Sequence, residues 1–198
     1  MEDKTAAEVM EEATQIFRTY HMDFWLDAGT LLGIYRDGKL LPNDHDIDLF
    51  MWHPGKDIIM KMKDTFWNKG FIAYYDKQER GYCFSVSKRG CEMTFGLLKP
   101  KDGFSNLYFY VPKGLKGRIV NKFMKTLGVQ TNLFTEPVIF KIPLHYFERL
   151  KEIKFMGKKF LIPYETEKYL KFRYGKGWMV PDKDYIWYRD DGAVLLKK

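Results

Sequence analysis

Asp27-Ala-Gly-Thr-Leu-Leu-Gly33, followed after a short basic loop by Asp44-His-Asp-Ile-Asp48-Leu-Phe50, decides the reading of this chain. An apolar run, Phe24-Trp-Leu, leads into a Gly-Thr turn, and a carboxylate-x-carboxylate pair opens the next apolar run. Side chains alternate along a strand, so Asp46 and Asp48 project from the same face. Two carboxylates side by side repel unless a positive charge sits between them. A hard divalent cation with oxygen ligands, Mg²⁺ first, or Mn²⁺ in its place, answers that need. A small-residue turn next to it lets backbone approach a phosphate closely. The combination points to metal-assisted phosphoryl chemistry.

Composition bounds the rest. The chain has 198 residues, 45% hydrophobic and 17% aromatic, which is enough apolar material for a packed core and excludes a disordered chain. The formal net charge of +7 favours anionic partners: nucleic acid, acidic glycans or nucleotide phosphates. Cys83 and Cys91 match no zinc spacing and are too few for a disulfide scaffold, although pairing across a hairpin stays open. His21, His53 and His145 are scattered and point to no metal site. The acidic N-terminus is no signal peptide, and no apolar run approaches the length of a membrane span, so the expected location is cytoplasmic unless the chain is part of a longer protein.

Outward from the motif, Thr5-Ala-Ala-Glu8 has the form of a capping box, and Val9, Met10, Ala13, Ile16 and Phe17 recur at helical spacing. A strand is expected over 24–28, a short helix over 30–35 and a second strand over 47–51. A helix over 57–68 ending at Gly70 comes next, followed by strands over 71–75, 82–87, 91–95, 107–111 and 138–142, with turns at Arg80-Gly81 and Arg89-Gly90. A basic amphipathic helix is expected over 116–127 and a further helix from Pro163 to Arg173, stopped by Gly175. The fold class is α+β, a mixed sheet flanked by helices with a helical C-terminal tail, in one domain over 1–198.

Four readings compete for the acidic run. An EF-hand loop needs Gly at its sixth position and Glu at its twelfth, where this chain has Leu49 and Gly55. The Asp-x-Asp of a nucleotide-sugar glycosyltransferase leaves Gly29-Thr30 unexplained. Solvated acids at a strand edge would account for one carboxylate more readily than for three at alternating spacing. The fourth reading is a nucleotidyltransferase fold: a Gly-Ser or Gly-Thr turn after one strand, a carboxylate pair on the next and a third acid on a later strand. More specifically, the chain resembles the LicD/fukutin family. Gly29-Thr-Leu-Leu-Gly33, Arg36 and Pro42-Asn-Asp-His-Asp-Ile-Asp48 are similar to that family's hallmark. Ile162-Pro163, Tyr169-Leu170, Tyr174-Gly175, Trp178 and Pro181 are a second, weaker match near the C-terminus.

The resemblance implies transfer of phosphocholine or a polyol phosphate from a cytidine-diphosphate donor to a glycan hydroxyl. It implies that Asp46 and Asp48 hold the metal, and that a third acid completes the metal site or draws the acceptor's proton. Glu92 in Cys91-Glu-Met-Thr-Phe95 is the first choice for that acid, with Asp76 and Asp102 behind it. Gly29 and Thr30 are expected to meet phosphate, Arg36 to clamp the diphosphate, Asp44 to orient the loop, and His45, its pKa raised by flanking acids, to contact the donor or serve as a charge partner. The aromatic residues from Tyr169 to Tyr188 are read mainly as packing, with one lining the pocket. Two alternatives stand beside this function: a true nucleotidyltransferase that moves NMP from an NTP to a small molecule, RNA or protein, and a non-catalytic module that binds nucleic acid or glycan.

Overall fold

A computed structural model describes residues 2–42, 44, 46–76, 83–114, 116–117, 119–120 and 134–195. The expected turn at Arg80-Gly81 and most of the basic stretch over 116–127 lie outside these residues.

Helix α1 (Asp3–Thr19) leads into β1 (Phe24–Leu26), helix α2 (Ala28–Asp37) and β2 (Asp46–Trp52). Helix α3 (Lys56–Asn68), β3 (Ile72–Asp76), β4 (Cys83–Lys88) and β5 (Cys91–Leu98) follow. Next come β6 (Phe104–Pro112), β7 (Thr135–Pro143), a 3-10 turn over Leu144–Phe147, and the hairpin β8 (Leu150–Phe155) and β9 (Lys158–Pro163). Helix α4 (Thr166–Tyr174), a single-turn helix α5 (Trp187–Asp190) and β10 (Val194–Leu195) close the described chain. Two sheets result, a seven-stranded one in the order β3-β4-β5-β2-β1-β9-β8 and a three-stranded one in the order β10-β7-β6. β2 runs parallel to β5 and antiparallel to β1, so the larger sheet is mixed and the fold is α+β.

Alternation divides the larger sheet into two unlike faces. Ile47, Leu49, Met93 and Phe95 are buried and point one way. Helices α1 and α3 cover that side, where Phe17 sits with ring centroids 5.2 Å from Phe24, 5.3 Å from Phe66 and 4.9 Å from Phe95. The opposite face carries Asp46, Asp48, Glu92 and Thr94. Trp25 and Phe50, also on that face, pack against Phe147 at 5.1 and 5.8 Å. Phe147 in turn meets Tyr169 of α4 at 5.2 Å. A Cβ on Gly96 would lie 2.5 Å from the Phe50 ring, so only glycine lets these two strands carry that ring between them. The second face is therefore roofed at one end and open at its acidic end.

Four expectations shift, beginning with α1, which starts at Asp3 without a side-chain cap, so Thr5 and Glu8 lie inside the helix and form no capping box. The first strand is shorter than 24–28, because α2 already begins at Ala28. The hairpin over 150–163 was not expected and extends the sheet beyond β1. The C-terminal tail is α4 followed by turns, one helical turn and a short strand, so most of it past Gly175 is irregular. Both cysteines are free, Cys91 buried and Cys83 partly so, and their strand partners are Lys88 and Gly96, which puts them at opposite ends of the β4–β5 pair.

Candidate active site

The site grows from the backbone register of two parallel strands. Asp46 stands beside Glu92 and Asp48 beside Thr94, so the three carboxylates share the open face. Neighbours in parallel register point to the same side of the sheet. Ser85 continues this polar row, with its hydroxyl 3.2 Å from that of Thr94.

The turn after β1 is tied to the acidic strand from both directions. The Asp27 N–H donates to the Asp48 carbonyl at 3.0 Å, and the Asp48 N–H donates to the Thr30 hydroxyl at 2.9 Å. Asp27 is also the residue at which α2 starts: its carbonyl accepts from the Leu31 N–H at 2.9 Å. Thr30 is 1% exposed, so its hydroxyl fixes the acidic strand from beneath and does not line the cavity. Ala28, between Asp27 and Gly29, has φ of +44°, a left-handed conformation that costs a non-glycine residue about 1–2 kcal/mol.

The two glycines of Gly29-Thr-Leu-Leu-Gly33 answer different demands. A Cβ on Gly29 would collide with the Asp44 carboxylate, so the absence of a side chain there seats Asp44 against the first turn of α2, the end of a helix that favours negative charge. A Cβ on Gly33 would lie 2.7 Å from the Lys39 carbonyl and 2.9 Å from the Leu41 nitrogen, so Gly33 admits the returning backbone of the loop. Arg36 lines the same cavity, but its fork is taken. It donates to both Asp37 carboxylate oxygens at 2.9 and 2.8 Å and to the Trp178 carbonyl at 3.3 Å. That pairing holds Arg36 fully charged and draws the Asp37 pKa below its ordinary value.

Beneath the turn lies a buried network that the sequence reading did not assign. Arg173 of α4 donates through Nη1 to both oxygens of Asp27, at 3.0 and 2.9 Å, and through Nε to both oxygens of Asp191, at 2.8 and 2.7 Å. The Tyr169 hydroxyl accepts from Arg173 at 2.6 Å and donates to Asp27 at 2.5 Å. Asp27, Arg173 and Asp191 are each at most 5% exposed. The signal available in the sequence was the four-residue spacing of Tyr169 and Arg173, which puts both on one face of the helix.

Electrostatics set the character of the site. Desolvation, followed by the charges of Asp46, Asp27 and Asp44, pushes the Asp48 carboxyl well above the usual carboxylate range, with Arg173 the opposing cation. Desolvation likewise drives the Tyr174 and Tyr185 hydroxyls upward, so both are protonated donors across the neutral range. A cavity of about 1760 Å³ opens over this face. Its floor includes Gly29, Asp44, Asp46, Asp48 and Glu92, and its far side is built from Phe109, Trp178, Tyr185 and Trp187. Single small-molecule sites fill roughly 300–1,000 Å³, so this one has room for two substrates.

Among the described residues no three His, Cys, Asp or Glu side chains are grouped to hold a cation unaided. Mg²⁺, however, is typically held by one or two carboxylates and completed by water and substrate phosphate. Asp46 and Asp48, on one face and short of positive charge, suit that arrangement. Glu92 is exposed beside Asp46 without joining a three-acid group. Asp76 ends β3 at the outer edge of the sheet, and Asp102 is an exposed turn residue away from the cavity. His45 lies outside the described residues.

Comparison with known proteins places this architecture. The model of the LicD/FKTN/FKRP nucleotidyltransferase domain matches residues 21–165. The chain is similar to the ribitol-5-phosphate transferase FKTN of Homo sapiens, with 25% identity over 201 residues covering 96% of this chain and 37% of that protein. The Macaca fascicularis protein of the same description gives the same identity and coverage. An uncharacterized protein of Rickettsia prowazekii is 23% identical over 97 residues, covering 49% of this chain and 35% of that protein. The chain thus spans little more than a third of the length of the transferases it matches. The matched residues hold the glycine turn, the acidic strand and Glu92 together, and on that ground the chain belongs to the LicD/FKTN/FKRP nucleotidyltransferase-domain family.

Proposed function

We propose that this chain is a transferase, one nucleotidyltransferase-type domain over 1–198, that moves a phosphorylated polyol or phosphocholine from a CDP-activated donor to a glycan hydroxyl with Mg²⁺ as cofactor. One observation carries the reading. Asp46 and Asp48 share a face at the floor of a cavity large enough for donor and acceptor, in surroundings that disfavour ionisation of Asp48 unless a cation is present. The similarity to ribitol-5-phosphate transferases favours the polyol branch.

A bound Mg²⁺ would neutralise the diphosphate and polarise the phosphorus under attack. Asp46 and Asp48 would hold it, and the bonds from Asp27 and Thr30 to Asp48 keep their strand in place. The acceptor oxygen forms a bond to the phosphorus that bears the polyol or choline, the bond from that phosphorus to CMP breaks, and CMP leaves. Glu92, exposed on the same face and outside any three-acid group, is placed to take the hydroxyl proton. Arg36, in the last turn of α2, is held by Asp37 and the Trp178 carbonyl, so it shapes the cavity wall.

The test is a melting-temperature screen of CDP-ribitol, CDP-glycerol, CDP-choline and CTP, each with Mg²⁺ and with EDTA, followed by assay of CMP release with glycan acceptors. A donor present at about 100 times its Kd should add about 2.7 kcal/mol of stability. A shift with a CDP donor that needs Mg²⁺ is the expected result. No shift with any of them defeats the reading. A shift with CTP and release of pyrophosphate would favour a true nucleotidyltransferase, a reading that the family's nucleotidyltransferase domain keeps in view.

A further inference from the structure

Arg173 links two parts of the cavity that no strand or helix joins directly. On one side its Nη1 holds Asp27, whose backbone fixes the glycine turn and, through its N–H, the Asp48 carbonyl. On the other side its Nε holds Asp191, at the end of the irregular segment 175–191 from which Trp178, Pro181, Tyr185 and Trp187 face the cavity. That segment leaves α4 at Gly175 and returns to it: the Gly192 N–H donates to the Arg173 carbonyl at 2.9 Å, and the Ala193 N–H donates to the Asp191 carboxylate at 2.8 Å. The Tyr185 hydroxyl donates to Asp191 at 3.3 Å. A Cβ on Gly192 would collide with the Phe172 carbonyl, so the return is tight. The far end of the wall is therefore anchored at Arg173, and the same residue anchors the floor.

We propose that Arg173 is a positioning residue that serves the two substrate-facing halves separately, Asp27 transmitting its hold to the metal-binding strand and Asp191 to the donor-binding wall. The fixed planar fork of a guanidinium is what allows this, because Nη1 and Nε address two carboxylates in directions that do not vary. A lysine gathers its three donors on one nitrogen at the end of a flexible stem, so it has no rigid fork to fix two carboxylates in those directions. The proposal rests on the transferase reading above for its kinetic form, but its structural form stands without it.

The experiment compares Asp27→Asn, Asp191→Asn and Arg173→Lys in the full chain, by kinetics with CDP-ribitol and by hydrogen exchange read on peptides covering 26–34, 46–52 and 176–190. Asp27→Asn should lower kcat about 10-fold or more with a small change in donor KM, and Asp191→Asn should raise donor KM about 10-fold with kcat nearly kept. Exchange should quicken in 26–34 and 46–52 for the first variant, in 176–190 for the second and in all three for Arg173→Lys, with α1 and β3–β5 unchanged. If Asp27→Asn fails to fold by circular dichroism, Tyr169→Phe, which removes the hydroxyl's bonds to Asp27 and Arg173 but leaves the Arg173–Asp27 and Arg173–Asp191 pairs in place, supplies the floor reading with the same pattern at smaller size. Exchange that rises evenly across the larger sheet, or in neither floor nor wall, overturns the proposal. So does an equal change of kcat and KM in both carboxylate variants. If the wild type turns over no CDP donor, the transferase reading fails and exchange alone decides the role of Arg173.

Discussion

The floor and the wall of the cavity are held by different kinds of bond. The floor is β2 and β5 in parallel register, with Asp46, Asp48 and Glu92 placed by the backbone ladder itself. The wall, over 175–191, contains one helical turn and is held by side chains: Arg173 on Asp191, and Arg36 on the Trp178 carbonyl. A ladder distributes its hold over many peptide groups, so no single side chain is indispensable to it. A side-chain anchor concentrates the hold in one residue. Substitution of the floor's own acids should thus leave its shape and lose chemistry, whereas loss of an anchoring side chain should loosen the wall most.

The largest effect expected is on the floor. On the proposal that Asp46 holds Mg²⁺, Asp46→Asn should lower CMP release by about a thousand-fold with the fold intact by circular dichroism, since the ion would stabilise charge that develops in the transition state. A variant that keeps a tenth of wild-type turnover would remove the floor from the chemistry. Asp48→Asn should lose turnover in the same way yet melt above the wild type in EDTA at neutral pH. Its carboxyl is raised in the folded state, so ionising it opposes folding, and the stability lost as pH rises through the folded pKa is retained by an amide. A lower melting temperature would contradict the charge deficit.

The wall comes next. Arg173→Met leaves two buried carboxylates without their cation and should cost about 3–5 kcal/mol by urea denaturation. A loss under about 1 kcal/mol would mean that the wall is held by something else. The two motif glycines then sharpen the contrast within the floor. Gly33→Ala forces backbone apart and should cost about 1–3 kcal/mol, whereas Gly29→Ala displaces only the Asp44 carboxylate and should weaken donor binding with little change in melting temperature. Equal effects would show that Asp44 is as rigid as the loop. The smallest effect is Ala28→Gly. Relief of a positive φ and the added freedom of the unfolded chain oppose each other, so stability should stay within about 1 kcal/mol.

These differences also explain what could be read from sequence. The carboxylate pair was legible because period two is enforced by the strand itself, and Glu92 and Thr94 fell on one face of Cys91-Glu-Met-Thr-Phe95 for the same reason. The hairpin over 150–163 was not. Its two-residue turn is Met156-Gly157, with φ of +47° and +76°, where the usual signal for such a turn is Asn-Gly or Asp-Gly. Thr30 looked like a phosphate contact because its place in the motif says nothing about which way its hydroxyl turns. Arg36 looked free to clamp a diphosphate because its Trp178 partner is 142 residues away. Arg173 was passed over since an arginine in a helix reads as a solvated charge, and its buried partners lie 146 and 18 residues distant.

That separation of 146 residues has a consequence for the order in which the molecule is made. During synthesis the stretch 27–48 emerges long before residue 173, so Asp27, Asp44, Asp46 and Asp48 do not meet the Arg173 guanidinium while β1 and β2 first pair. Closing a loop of that length is slow compared with forming helices and hairpins. The polar side of the sheet is then expected to stay hydrated until α4 docks, and the cavity over it to set last, when the residues that complete its far side arrive with their anchor.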